Sequence, residues 1–317
     1  MRRMKMAATI KLNPQRSWDW KIAAYLFLAG AGAGAALVGA VAHLLSPSFT
    51  PLMQTGLWIG IPLVVVGILF LMWDLGQPTK FTKALNKPGT SWIARGSWIL
   101  TVFLVLSVVL FGLWIWPFTV LGTMPGAITV LEVLIAVFAL GTVAYTGLLL
   151  GASKPIPFWS MPTLPLLFSV SATATGMKAS SLLLTLDSLM RGTPLPDIIA
   201  TLARYIAIVI ALEIAVVVLH LWGTHQTVTA KFSTLRVLRG PLATQFWLGY
   251  VVLGLIIPLL AETLVPGAGA GSEALWIMVA AVLGLIGGFI LRLTVVSAGA
   301  KTPLPAMGGE IAIPANM

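Results

Sequence analysis

The chain has 317 residues, of which 58% are hydrophobic and only 9% are charged, and it contains no cysteine. A soluble domain is about a quarter charged, so this composition excludes a soluble globular protein, and the lack of cysteine excludes a disulfide scaffold and a cysteine-ligated iron–sulfur cluster. The net charge of +10 does not indicate nucleic acid binding, because the basic residues lie between apolar runs.

Eight apolar segments follow one another along the sequence, each bounded by proline, glycine or charge. A transmembrane helix takes roughly 20 apolar residues, so the sequence predicts an all-α polytopic membrane protein with eight transmembrane helices. The fifth segment is rich in serine and threonine and carries Lys178, which predicts that it does not face lipid on all sides and lies inside the bundle or along a wet cavity. The predicted spans are 22–45, 53–73, 93–116, 127–151, 163–186, 198–223, 242–261 and 274–298.

The first span contains alternating alanine and glycine, and Gly30 and Gly34 form a GxxxG pattern. Such a pattern lets a neighbouring helix approach closely. A phosphate-binding loop would need a preceding strand and a following Lys-Ser/Thr pair, and neither is present. The glycines therefore predict helix packing.

The basic residues of the connections are distributed unevenly between the two faces of the membrane. With eight spans, fourteen lysines and arginines fall on the face that carries both termini, whereas only Arg191 falls on the other. This asymmetry predicts cytoplasmic termini in a multi-pass protein of the cytoplasmic membrane. The same basic surface also suits an acidic partner. The fourteen are Arg2, Arg3, Lys5, Lys11, Arg16, Lys21, Lys80, Lys83, Lys87, Lys154, Lys231, Arg236, Arg239 and Lys301.

Few ionisable residues lie within the predicted spans, and four of them are candidates for a proton path: Glu132, Lys178, Arg204 and Glu213. Each costs a few kcal/mol near the bilayer centre unless it is paired or hydrated. Lys178 and Glu213 lie near the middle of consecutive antiparallel spans, which predicts that they approach each other. The alternative interpretation is a set of structural salt bridges that fix the register of the helices.

A second group of polar residues lies near the face that carries the termini: Tyr25, Asp74, Tyr145 and His220. Tyr145 is expected roughly 9 Å deep, from a rise of 1.5 Å per residue. Tyrosine, histidine and carboxylate at one depth suit hydrogen bonding to quinone carbonyls and proton exchange. The alternative is that each is an ordinary residue of the membrane interface.

The three histidines, His43, His220 and His225, make a two-haem cytochrome b improbable. A membrane haem b usually takes two histidines from facing helices, but His43 lies at the opposite face and the other two are five residues apart. No carboxylate–histidine metal site and no nucleophile–base pair is visible. We therefore expect no haem and no metal in this protein.

Several motifs resemble the NrfD-like family, whose members are quinone-interacting membrane subunits typified by the polysulfide reductase anchor. The similarity extends over almost the whole sequence and keeps the order of the family's motifs. The matching motifs are Tyr25-Leu26-Phe27-Leu28-Ala29-Gly30, Asp74-Leu75-Gly76 with Pro78 and Phe81, Pro88 with Thr90-Ser91, Gly96-Ser97-Trp98, Tyr145-Thr146-Gly147, Pro157-Phe158-Trp159, and Gly287-Gly288 with Leu291-Arg292.

The resemblance implies two four-helix bundles, at 22–151 and 152–299, between an N-terminal tail (1–21) and a C-terminal tail (300–317). It implies exchange of electrons between menaquinone or ubiquinone and a four-cluster, ferredoxin-like iron–sulfur subunit, which serves a molybdopterin or cytochrome subunit. By motif position, Tyr25, Asp74 and Tyr145 would line the quinone pocket. Arg204 resembles a charged position to which proton conduction is ascribed, whereas His220 has no family role.

The resemblance also implies that the partner binds on the extracytoplasmic side, whereas the charge distribution predicts that the same face is cytoplasmic.

Two alternatives to the quinone subunit remain open. One is a proton-coupled transporter with its substrate site at Lys178, Arg204 and Glu213, although no inverted repeat is evident. The other is a passive anchor for a redox enzyme.

Overall fold

A computed structural model describes residues 10–15, 17–75, 92–113, 125–193, 197–264, 270–302 and 311–312. This part of the protein is helical apart from two short parallel strands, β1 (Ile10–Lys11) and β2 (Ile311–Ala312), which pair with each other. Seven helices within these ranges are long and apolar enough to cross a membrane. The all-helical membrane class predicted from the sequence is confirmed.

The helices follow the predicted spans, and most bounds differ by only a few residues. A π-helix, Gln245–Ile256, leads directly into the next α-helix, and a short amphipathic helix occupies a stretch expected to be a loop. In chain order the described α-helices are α1 (Trp20–Leu45), α2 (Thr50–Leu75), α3 (Trp92–Gly112), α4 (Pro125–Gly151), α5 (Thr163–Arg191), α6 (Asp197–Gly223), α7 (Val228–Leu238), α8 (Ile257–Leu264) and α9 (Ala270–Ala298).

Helix α5 is long enough to span a bilayer, but its polar residues keep it outside the group of seven apolar helices. Ser169 donates to the carbonyl of Pro165 at 2.8 Å, and Thr173 donates to the carbonyl of Ser169 at 2.9 Å. These bonds satisfy the hydroxyls without water. The helix contacts α1, α4, α6 and α9, so its predicted place inside the protein is confirmed.

The small residues of α1 allow its backbone to lie directly against that of α5. A methyl group on Gly34 would collide with the carbonyl of Ala172, and one on Gly176 would collide with the backbone of α1. The packing role predicted for the GxxxG pattern is therefore confirmed at Gly34. This contact joins the two halves of the protein.

We divide the helices into two sets by their order along the chain, and α5 of the second set also packs against α1 and α4 of the first. Helices α1 to α4, the N-terminal helix set, contact one another mainly through α1–α2, α1–α4 and α3–α4. Helices α5, α6, α8 and α9, together with the π-helix, form the C-terminal helix set through α5–α6, α5–α9 and α9–π-helix contacts. Candidate sites within each set can therefore be compared directly.

Both ends of the described sequence meet where α1 begins and α9 ends, and we call this side the terminal face and the opposite side the distal face. The backbone N–H of Gln15 donates to the backbone carbonyl of Gly299 at 2.8 Å. The indole of Trp159 donates to the carbonyl of Val295 at 2.8 Å. The connection between α4 and α5 is thereby tied to the end of α9.

Candidate functional site

Two tyrosines of the N-terminal helix set face each other close to the terminal face. Tyr25 on α1 and Tyr145 on α4 are 0% and 1% exposed. The two hydroxyls lie close enough to act on each other, yet neither makes a hydrogen bond of normal geometry among the described residues. Leaving a buried donor unsatisfied costs about 1–3 kcal/mol. Two such hydroxyls side by side are suited to a ligand that accepts hydrogen bonds.

The ring of Tyr145 fills the space beside Gly96 of α3 that a side chain would occupy if this residue were not glycine. A methyl group at this position would overlap the ring carbons of Tyr145. The glycine therefore fixes how deep the ring lies between α3 and α4. This contact gives a physical reason for the Gly96-Ser97-Trp98 motif.

Asp74 lies at the end of α2 on the terminal face, where it forms an ion pair with Lys21 of α1 at 3.4 Å. Lys21 also contacts Asp19 at 3.3 Å, and Asp19 caps the first turn of α1 by accepting from the Lys21 amide at 2.8 Å. Because Lys21 precedes Tyr25 by four residues, the two lie on the same face of α1. Asp74 is thus linked through Lys21 to the helix face of the tyrosine pair.

His220 lies in the C-terminal helix set and not beside the tyrosines. Its Nδ1 is 2.8 Å from the hydroxyl of Thr163, and its ring lies edge-on to Phe158 at 5.0 Å. Its Nε2 has no partner among the described residues, and the residue lines a cavity of about 20 Å³ together with Thr294. That volume suits one water molecule.

The four residues predicted to form a proton path occupy separate places. Glu132 on α4 is buried and bonds to Nδ1 of His43 on α1 at 2.7 Å, towards the distal face. Arg204 lies on the exposed side of α6. Lys178 and Glu213 lie within electrostatic range of each other in the C-terminal helix set. Only this last pair is brought together.

A buried polar cluster surrounds that pair. The hydroxyl of Tyr250 donates to Glu213 at 2.9 Å, and Nζ of Lys178 donates to the carbonyl of Gly254 at 3.3 Å. Glu262 is 4% exposed, lies within electrostatic range of Lys178, and neither of its carboxyl oxygens has a hydrogen-bond partner among the described residues. We refer to Lys178, Glu213, Tyr250, Glu262 and Arg292 as the charge cluster.

Glu262 is not among the site residues predicted from the sequence, because the predicted seventh span ends at residue 261. A signal was nevertheless available. Tyr250, Gly254, Pro258 and Glu262 recur every four residues, as expected of one face of a helix. All four are buried, so the carboxylate belongs to the inner face of the last part of this span.

Arg292 of α9 lies where the two helix sets meet. Its guanidinium donates to the hydroxyl of Ser171 and, at 2.9 Å, to the carbonyl of Gly288. It lies 5.3 Å from the ring centre of Phe168 and 6.0 Å from that of Phe27 on α1. Electrostatic contact with Glu213 connects it to the charge cluster.

The sequence profile of the family described as "Polysulphide reductase, NrfD" matches residues 8–304. The chain belongs to this NrfD family. It is 30% identical to Protein NrfD of Escherichia coli, over 90% of this sequence and 95% of that protein. It is 28% identical to the C subunit of polysulfide reductase from Wolinella succinogenes, over 89% and 94%, and 26% identical to a Protein NrfD homolog of Haemophilus influenzae, over 92% and 96%.

Membership of the NrfD family confirms the resemblance seen in the motifs and establishes a multi-pass membrane protein. Residues 76–91, which hold part of the first motif, lie outside the described residues. Within the described ranges, no three histidine or carboxylate side chains are grouped as metal ligands.

Proposed function

We propose that this NrfD-family protein is the membrane subunit of a respiratory reductase complex. It exchanges electrons between the quinone pool and an iron–sulfur subunit docked on the terminal face, which in turn serves a molybdopterin or cytochrome subunit. The observation that carries this proposal is the buried pair of unsatisfied hydroxyls on Tyr25 and Tyr145. Homology to the C subunit of polysulfide reductase supports a reductase partner.

The proposed architecture has eight membrane spans in two four-helix bundles, 22–151 and 152–299, and α5 supplies the eighth span. Helix α5 lies between two apolar spans and has 29 residues, about 43 Å at 1.5 Å per residue. Its burial explains how a polar helix crosses a membrane. The uneven distribution of basic residues supports cytoplasmic termini.

The quinone site lies between α1 and α4. Each hydroxyl of Tyr25 and Tyr145 donates a hydrogen bond to a quinone carbonyl oxygen, which satisfies two buried donors that otherwise lack partners among the described residues. Bound quinol supplies two electrons and two protons on oxidation. Asp74 of α2, which pairs with Lys21 on the Tyr25 face of α1, provides a carboxylate near solvent that exchanges those protons.

The test compares Tyr145→Phe and Asp74→Asn with Tyr205→Phe in the purified complex. Tyr205 is 55% exposed on α6 and serves as the matched control for loss of a phenol hydroxyl. Quinol turnover should fall at least tenfold in Tyr145→Phe, as expected from a lost hydrogen bond of about 1.4 kcal/mol. It should fall by a similar factor in Asp74→Asn, which loses the proton-exchanging carboxylate, and should be unchanged in the control. Unchanged turnover in an assembled complex of either site variant would instead favour a passive anchor.

We also propose proton transfer through the C-terminal helix set. Intramembrane ionisable residues mark proton and ion pathways more often than lipid contacts, and Lys178 and Glu213 are both buried. Glu213→Gln should abolish the pH change coupled to turnover in vesicles. Coupling equal to that of the wild type would contradict a path through Glu213.

A transporter substrate site is less favoured, because Arg204 lies on the outside of α6.

A further inference from the structure

The carboxylate oxygens of the charge cluster outnumber the hydrogen bonds that are donated to them. Glu213 accepts from Tyr250 at 2.9 Å, whereas both oxygens of Glu262 are buried without a partner among the described residues. A buried charge is normally paired, and its cost is several kcal/mol when it is not. The arrangement of Glu262 therefore calls for a partner that reaches it at least part of the time.

Lys178 is the cation placed to reach it. The residue is 1% exposed and lies within electrostatic range of Glu213 and Glu262. It forms no ion pair within 4.0 Å with any carboxylate of the described ranges, and its ammonium donates only one long bond, at 3.3 Å, to the carbonyl of Gly254. An ammonium has three hydrogens to donate, so two remain for other acceptors.

One glycine gives the lysine its space and another gives it a hydrogen-bond acceptor. The stem and ammonium of Lys178 occupy the position that a side chain of Gly284 would fill, since a methyl group there would stand 2.6 Å from Nζ. The carbonyl that accepts from Lys178 belongs to Gly254, within the π-helix. π-helical segments occur frequently at functional sites, and here one supplies the acceptor for Lys178, four residues after Tyr250, which bonds to Glu213, and eight residues before Glu262.

We infer that Lys178 is a two-position proton carrier that alternates between Glu213 and Glu262. As an amine, Lys178 takes the proton of the glutamic acid on one side: the O–H bond breaks and the third N–H bond forms. The ammonium then moves past the Gly254 carbonyl and releases a proton to the other carboxylate. The cycle moves one proton and needs no oxidant or reductant.

Two further groups face the path. Tyr250 holds Glu213 from the π-helix side, and Arg292 contributes a fixed positive charge from α9. Hydrogen bonds to Ser171 and Gly288 hold the Arg292 guanidinium in place, so Arg292 does not move between the two carboxylates as Lys178 does. Glu262 then acts as the exchange partner nearest the end of α8.

This inference rests on the proton-transfer part of the proposed function, but its test needs neither quinone nor partner. The full-length protein is placed in lipid vesicles, and infrared spectra follow the carboxyl C=O bands during a pH titration. Glu213→Gln and Glu262→Gln should each remove one band and shift the band of the surviving glutamate, because the lysine then pairs with that glutamate alone. Glu273→Gln, near the start of α9, is the control and should shift neither.

A second pair of variants tests the space around the lysine. Gly284→Ala should displace Lys178 and shift both bands, whereas Gly112→Ala, where a methyl group meets open space, should shift neither. Circular dichroism confirms that each variant is folded. If the surviving band keeps its position in both Glu→Gln variants, the carboxylates titrate independently and the carrier is ruled out. Coupled bands in the vesicles, together with unchanged quinol turnover of Tyr145→Phe in the purified complex, would sustain the carrier and contradict the quinone site.

Discussion

The N-terminal and C-terminal helix sets place their polar groups at different depths. In the N-terminal set the ion pairs lie towards the ends, Lys21–Asp74 at the terminal face and His43–Glu132 towards the distal face, and the buried pair between them consists of neutral phenols. In the C-terminal set, charged residues occupy the interior. Under the proposed function this difference fits a division of labour, because neutral donors suit an uncharged quinone ring and buried charges suit proton movement.

The largest effect is expected where the two sets meet. Arg292→Met removes the donor to Ser171 and to the Gly288 carbonyl, and it removes one of the cations near Glu213. Breaking a buried charge network costs about 3–5 kcal/mol, so the midpoint of thermal unfolding should fall sharply. Arg204→Met, on the exposed side of α6, is the control. Equal midpoints for the two variants would show that Arg292 does not hold the sets together.

The next largest effect should distinguish positioning from stability in the N-terminal set. Gly96→Ala forces the Tyr145 ring out of its place against α3. Misplacing a reacting group by about 1 Å costs roughly 100-fold in rate, so we expect quinol turnover to fall by that factor while the complex still assembles. Gly112→Ala measures the effect of a methyl group alone. Full activity in Gly96→Ala would remove Tyr145 from the site.

Most of the fold could be predicted from hydropathy, because an apolar run of about twenty residues has few alternatives to a membrane helix. Helix α7 was missed, since its eleven residues from Val228 alternate polar and apolar and resemble a loop. The π-helix was missed as well, because no local pattern marks the insertion of a residue into a helical turn. Both depend on tertiary packing.

The candidate site was predictable only in part. Depth along α1 and α4 was enough to bring Tyr25 and Tyr145 together, since both lie a turn or two from the same face. The same argument failed to separate His220 from them, because depth says nothing about which bundle a helix joins. Glu262 was misassigned because the predicted span ended one residue too early, at 261. The charge of Glu262 therefore fell outside the predicted span, although the residue is buried.

A smaller effect is expected at the ion pair towards the distal face. His43 and Glu132 bond at 2.7 Å, and a double-mutant cycle with His43→Gln and Glu132→Gln should give a coupling energy of about 1 kcal/mol. Quinol turnover should stay within twofold of the wild type, because His43 lies eighteen residues from Tyr25 on α1, roughly 27 Å. Strong loss of turnover would extend the quinone chemistry across the membrane.

The smallest effect should come from Lys21→Met. The Lys21–Asp74 pair lies near the surface, and such pairs contribute little because water and salt screen them. Quinol turnover should therefore change by less than about fivefold, and the difference from the wild type should shrink as the salt concentration rises. Asp74→Asn, which removes the proton-exchanging carboxylate itself, should be more harmful and insensitive to salt. If Lys21→Met instead lowers quinol turnover as much as Asp74→Asn at every salt concentration, the two residues of the ion pair act as one unit in quinone chemistry. A surface charge pair would then be as important to the N-terminal helix set as the buried charges are to the C-terminal helix set.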